Sequence, residues 1–423
     1  MEKITLLSTN KTEKVEVLKV LEQFYLEQGF VKINKDNYFL NLKIKIRRYF
    51  HFFRQVKITF NKAPKKKYIL YDTSNFETLK YLLPKEETFL LPVRITDIKI
   101  LYLSLGLFFY VFFNFFKNSL KQNYLTFLIK KISPKAILTA VELSTDFYIT
   151  AKILKKDKIK FIAIQHSCLR ATDYLQKTII NKSIFIPKFY CFGSYEKEIL
   201  QNTNANIGEL ITFGSLKAAI FLKNIKKKNI TKEKNNFDIC LISEPAPYAT
   251  NDVHGYDEYQ EIPGKIAKFT HDLCEKRNLN LVFPSKFYKN SKYFQEEYEY
   301  YKYFLKNNHF ELIPKDNFLS TLEKAYQSNV IIGHSSTALR EIFSLEKKVL
   351  QWNFSKNIYL VKPFSGSSYL EGSNYENFEK RILNLLELTY GEYQNKIDKK
   401  TSIANNASET ISMIEKDLSM LDK

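Results

Sequence analysis

The chain has 423 residues, 45% of them hydrophobic, with only 11 glycines and 11 prolines, which excludes collagen-like and low-complexity classes and allows two ordinary domains. Its net charge of +20 points to an anionic partner such as nucleic acid, lipid headgroups or a charged substrate. Four cysteines, Cys168, Cys191, Cys240 and Cys274, lie far apart without CxxC pairing and imply a reduced, cytoplasmic chain with neither disulfides nor a zinc knuckle.

The first residues, "MEKITLLSTNKTEK", lack the apolar core of a signal peptide, so export is not expected. Charge is concentrated early: residues 1–135 hold roughly 25 Lys and Arg against 11 Asp and Glu, and residues 41–70 hold ten basic side chains and no acid. In the first half the apolar runs "KITLLS" (3–8), "KYILYD" (67–72), "AILTAV" (136–141), "KFIAIQ" (160–165), "KFYCFG" (188–193) and "ELITFG" (209–214) read as strands. Each ends in a polar or glycine turn, where ligands gather in parallel sheets.

Residues 100–116, "ILYLSLGLFFYVFFNFF", interrupt the pattern. As one helix they would reach roughly 25 Å, the lower limit for spanning a bilayer. A single crossing would place "KYILYD" and "AILTAV" on opposite sides of a membrane, against their reading as strands of one sheet. A helix lying in the anionic interface is favoured over a buried core helix, and both over true spanning.

The lysine-rich residues 222–236 read as a linker between an acceptor-binding unit (1–221) and a second unit (237–400), followed by a helical tail (401–423). In the second unit, strands are expected at 237–243, 279–285, 310–314, 329–333 and 348–354, with a long helix near 257–277. The fold class is therefore α/β, with two Rossmann-like domains whose parallel sheets face a central crevice.

Three places could carry chemistry. In "VIIGHSSTALREIF" a strand runs into Gly333-His334-Ser335-Ser336-Thr337 and then a helix. Free N–H groups, the helix dipole and the hydroxyls suit a phosphate there, although Ser-Ser-Thr is equally an ordinary N-cap. Glu341 falls on the helical face of Thr337, within reach of a ribose. In "FIAIQHSCLR", His166 stands at a strand's carboxyl end and suits a general base, with Glu142 and Asp146 of "AVELSTDFY" as alternative bases. In "CLISEPAP" and "FPSK", Ser243, Glu244 and Lys286 border the same crevice, where an ammonium would neutralise a diphosphate.

"IAIQHS", "KFYCFGSYEKEIL", "ITFGSLKA" and "NVIIGHSSTALREIFSLEKKVL", in this order and spacing, resemble bacterial surface-polysaccharide transferases (capsule or lipopolysaccharide) of the GT-B fold. The resemblance covers roughly residues 135–355. It implies an acceptor half first, a nucleotide-sugar half second, and metal-independent transfer. It places His166 at the family's Gln-His-Gly histidine, and Ser335, Ser336 and Thr337 at the phosphate-binding turn with Glu341 behind them. Ser167 departs from the usual glycine, and Glu346-Lys347 replaces a frequent glycine before "KVL", which would reshape that helix end.

The expected activity is glycosyl transfer from a nucleotide sugar to a lipid-linked or glycan acceptor, by a protein peripheral on the inner face of the cytoplasmic membrane. No cofactor is expected, and the lack of an Asp-x-Asp loop argues against a Mg²⁺ requirement. Polyol-phosphate transfer of the CDP-glycerol type and nucleotide-sugar epimerisation are alternatives on the same fold. A non-enzymatic basic protein binding membrane or nucleic acid is the alternative of a different class. Nucleic acid is disfavoured, because the aromatics are not arrayed on a small barrel or four-stranded sheet.

Overall fold

The computed structural model describes residues 54–73, 76–94, 97–141, 144–166, 185–201, 206–228, 236–244, 256–306, 309–354, 364–397 and 407–420. The proposed strand at 3–8 and Glu142 lie outside them.

The first half is a six-stranded, all-parallel sheet in the order β3-β2-β5-β6-β7-β8. Its strands are β2 (Tyr68–Tyr71), β3 (Thr88–Leu91), β5 (Ala136–Thr139), β6 (Lys160–Ile164), β7 (Phe185–Cys191) and β8 (Asn206–Thr212). Helices cover its faces, so the central strands β2 and β5 are buried throughout, and their continuous apolar runs follow from that. Helices α2 (Leu120–Ile132), α3 (Thr145–Ile153), α4 (Ser194–Gln201) and α5 (Leu216–Lys228) link or follow these strands. Ser119 and Gln122 form a capping box on α2, and Ser144 caps α3.

The second half is a five-stranded parallel sheet, β10-β9-β13-β14-β15. It comprises β9 (Phe237–Leu241), β10 (Leu281–Val282), β13 (Ser328–Gly333), β14 (Lys348–Asn353) and β15 (Tyr369–Glu371). Its helices are α6 (Tyr256–Arg277), α7 (Lys292–Phe304), α8 (Ser320–Tyr326), α9 (Thr337–Phe343), α10 (Tyr375–Glu387) and α11 (Tyr390–Asn395). Trp352 on β14 is fully buried and stacks on Phe378 of α10, ring centroids 4.2 Å apart.

Three expectations change in detail. Residues 279–285 form two strands: β10 ends at Val282, and β11 (Pro284–Tyr288) begins on proline and pairs with β12 (Ile313–Lys315) in a separate ribbon. The run 100–116 is not one helix. Its first residues form β4 (Ile100–Tyr102), which pairs with β1 (Lys57–Thr59), and only Leu105–Asn114 is helical (α1). Ser104, whose side chain accepts from the Leu107 amide, caps α1 and sets that break. The stretch read as linker is helical as far as Lys228, where α5 ends; residues 229–235 are not described.

The C-terminal stretch read as a helical tail packs back on the chain. Its helix α12 (Ala407–Ser419) returns to the first half, where Asp417 pairs with Lys188 and the Tyr190 hydroxyl. The Thr410 hydroxyl donates to the Phe213 carbonyl at 2.7 Å. Among the described residues no helix is long and apolar enough to cross a membrane.

Candidate active site

In the second sheet β9 connects onward to β10 on one side and β13 to β14 on the other, so the strand order reverses between β9 and β13. Such a switch point opens a ligand crevice. Here Glu244, just beyond β9, reaches across. Its carboxylate accepts from the His334 amide (2.5 Å), the Ser335 amide (2.7 Å) and the Ser335 hydroxyl (3.0 Å). A Cβ on Gly333 would lie 2.8 Å from a Glu244 carboxylate oxygen, so glycine is what lets the carboxylate approach.

The turn read as a phosphate cradle is therefore filled from within by an anion of the chain itself. Ser336 is the N-cap of α9 and accepts from the Ala338 amide. His334 is buried, with Nδ1 2.7 Å from the Trp352 carbonyl. Thr337 opens α9.

Ser243 turns inward and donates to Glu297, which also accepts from the Ser285 hydroxyl and the Lys286 amide. Burial raises the Glu297 carboxyl, against its hydrogen bonds with Ser243 and Ser285. This network ties the end of β9 to β11 and fixes the backbone at Lys286.

In the first half Gln165 holds the end of β6 against β7. Its amide N–H donates to the Tyr190 carbonyl (2.9 Å), and its side-chain oxygen accepts from Phe192 N–H (2.8 Å). His166 follows directly and faces the second half. It lines a narrow cleft with Thr78, Ser215, Lys217 and Glu341 whose volume is about 10 Å³, room for a single water. Burial lowers the pKa of His166 below its ordinary 6.5; Glu341 opposes this, and Lys217 and Lys315 reinforce it. The imidazole is therefore neutral at neutral pH, the form a general base needs.

Glu341 comes from α9 and pairs with Lys217 of α5 at 3.1 Å, so this ion pair joins the halves. Lys315, at the end of β12, completes the cluster. Burial pushes it down to about 8; Lys217 and Lys286 add to the shift, and Glu341 opposes it. Beside it a cavity of about 210 Å³ separates α5 from β11, β12 and α8, lined by Asn224, Ser285, Lys315 and Asp316 among others.

The structure thus brings together His166, Glu341 and Lys286 from the sequence reading, and adds Lys217 and Lys315. Asp146 is not among them: on the first turn of α3 it pairs with Lys121 at 2.5 Å. No short motif marks Lys217 or Lys315: Lys217 lies in the first turn of α5 and Lys315 is the last residue of β12.

No protein-family model matches the chain, and no curated protein matches it significantly. Among solved structures it is similar to UDP-GlcNAc 2-epimerase from Neisseria meningitidis bound to UDP-GlcNAc, at 16% identity and a TM-score of 0.50, covering 84% of this chain and 99% of that one. The fold is GT-B-like. A glycosyltransferase from Rickettsia africae aligns at 14% identity and a TM-score of 0.43, covering 84% of this chain and 98% of that one. The wall teichoic acid polymerase TagF aligns at 13% identity and a TM-score of 0.46, covering 98% of this chain and all of that one (100%). At 16% identity the likeness to the epimerase establishes architecture and leaves the reaction to the site.

Proposed function

We propose that the protein is a glycosyltransferase moving a sugar from a nucleotide-activated donor to a lipid-linked surface glycan, without a metal ion, as in capsule or lipopolysaccharide assembly. The supporting observation is the cluster between the halves: a half-buried neutral histidine facing Lys217 and Lys315, with Lys286 beside Lys315, in a GT-B-like crevice. His166 would take the proton of an acceptor hydroxyl. The freed oxygen attacks the anomeric carbon, the bond from that carbon to the diphosphate breaks, and the diphosphate leaves with the nucleotide. The lysines meet its developing negative charge. Glu341, held by Lys217, orients the cluster. A donor phosphate would compete with the Glu244 carboxylate for the N–H groups of His334 and Ser335.

The exposed aromatic helix α1 supports an acceptor met at the inner face of the cytoplasmic membrane. The test is a thermal-shift panel of UDP, CDP, CMP, GDP and dTDP. One nucleotide should raise the melting temperature, by about 2.7 kcal/mol of stabilisation at a hundredfold excess over its Kd. A flat panel would remove the donor half of the proposal.

A further inference from the structure

Of the fifteen exposed large apolar side chains in the described residues, eleven lie on β1, β4, α1 and the few residues that flank them. Two separate chain segments build this surface. β1 pairs in parallel with β4, Ile58 beside Leu101, and the Leu103 amide donates to the Thr59 carbonyl at 2.9 Å, which carries the pairing up to Ser104, the cap of α1. Helix α1 is fastened by one narrow face: Leu107 is buried, and Tyr110 packs on Phe127 of α2, centroids 5.7 Å apart. The rest of its circumference, including Phe108, Phe112 and Phe113, faces solvent, and Phe116 just beyond it is 98% exposed. On the ribbon side Phe60 is 77% exposed.

The fringe of this surface is cationic. Arg54, Lys57, Lys62, Lys65, Lys99 and Lys117 are all exposed, and no acidic residue occurs between Asp36 and Asp72. Bare aromatic rings surrounded by lysine match an anionic lipid interface, with apolar rings at the acyl boundary and ammonium groups among the headgroups. A ten-residue helix is about 15 Å long, half the hydrocarbon thickness, which is too short to span a bilayer and suits an orientation in the plane of the interface.

The position of this surface gives it a consequence. Phe116 and Leu120 flank the start of α2, where Lys121 pairs with Asp146 on the first turn of α3. That turn follows the carboxyl end of β5, which pairs with β6 as far as Thr139 and Ala163, three residues before His166. The aromatic surface therefore stands at the same rim of the sheet as the candidate base. We infer that the β1–β4 ribbon and α1 form one composite wedge that inserts into an anionic bilayer and sets the His166 rim against it. What this does for the acceptor rests on the transferase reading; the lipid binding itself does not.

The test is co-sedimentation of the full chain with vesicles of phosphatidylcholine alone and of phosphatidylcholine with phosphatidylglycerol. Circular dichroism melting of each variant serves as the control for folding. The parent should pellet with the anionic vesicles and stay in solution with the neutral ones. A variant with Phe112→Ser, Phe113→Ser and Phe116→Ser should bind at least tenfold less, and one with Ile58→Ser and Phe60→Ser several-fold less, both melting as the parent does. Failure of the parent to pellet overturns the inference, as does a parent that dimerises in sedimentation velocity while the triple variant is monomeric, which would make the surface an interface between copies. Full binding by the Ile58 and Phe60 variant overturns the composite wedge. Vesicle binding without any sugar transfer would leave the wedge standing and remove the transferase reading.

Discussion

Arg340 on α9 and Glu196 on α4 form a doubly hydrogen-bonded ion pair, 2.6 and 2.7 Å, between the two halves, with both side chains 1% exposed. Two charges taken out of water are stable only while each has the other. Glu196→Ala leaves the guanidinium buried without its carboxylate and should cost about 3–5 kcal/mol. Urea denaturation should show a clear fall in midpoint, and a midpoint like the parent's would mean that the halves do not depend on this pair. The double variant Glu196→Ala, Arg340→Met should recover much of the loss.

The Glu244 carboxylate stands where a donor phosphate would meet the turn. Glu244→Gln removes its charge and weakens its hold on the two amides, so affinity for the matching nucleotide should rise roughly tenfold, on the order of 1.4 kcal/mol. Calorimetric titration reads this directly. A fall in affinity would instead make Glu244 a contact of the ligand. Ser336→Ala should act mainly as loss of a helix cap, lowering stability by about 1 kcal/mol.

Lys315 predicts a pH dependence. With its pKa near 8, it carries its charge below that pH and loses it above, so nucleotide affinity should decline as pH rises through 8. The folded value lies below the usual 10.5, so the unfolded chain holds more protons between about 8 and 10.5, and this group makes the fold more stable as pH rises through that window. Lys315→Arg keeps its charge and should flatten the decline in affinity. An unchanged decline in that variant would assign the titration to another group.

Most strands were legible because buried parallel strands are continuous apolar runs closed by turns: "KYILYD", "AILTAV" and "NVIIG" appear as β2, β5 and β13. β3 and β15 were not, being only partly buried at the edges of their sheets, and β4 is hidden in the aromatic run 100–116. The aromatic run at 100–116 has the same letters whether buried or exposed; only the narrow attachment of α1 through Leu107 and Tyr110 decides it. Lys217 and Glu341 lie 124 residues apart, and Glu244 meets His334 across 90, so no local pattern could pair them.

The missing glycine before "KVL" has a conformational cost. Glu346 has φ of 59°, the left-handed region that glycine favours, just beyond the end of α9. Glu346→Gly should therefore raise stability by about 1 kcal/mol, seen as a higher melting temperature. No gain would mean that contacts of the glutamate side chain offset the strain.

Product analysis tests the central claim most directly. The purified protein is incubated with the activated sugar of whichever nucleotide binds and with a bacterial membrane lipid extract, and nucleotide and sugar are followed by chromatography and mass spectrometry. Glycosyl transfer predicts free nucleotide that keeps all the phosphates of the donor and sugar recovered in the lipid phase in equal amounts, with His166→Ala slowing both by roughly 10²–10⁴ and leaving nucleotide affinity intact. Epimerised donor with no nucleotide released, or a nucleoside monophosphate released with the phosphate transferred, would contradict it.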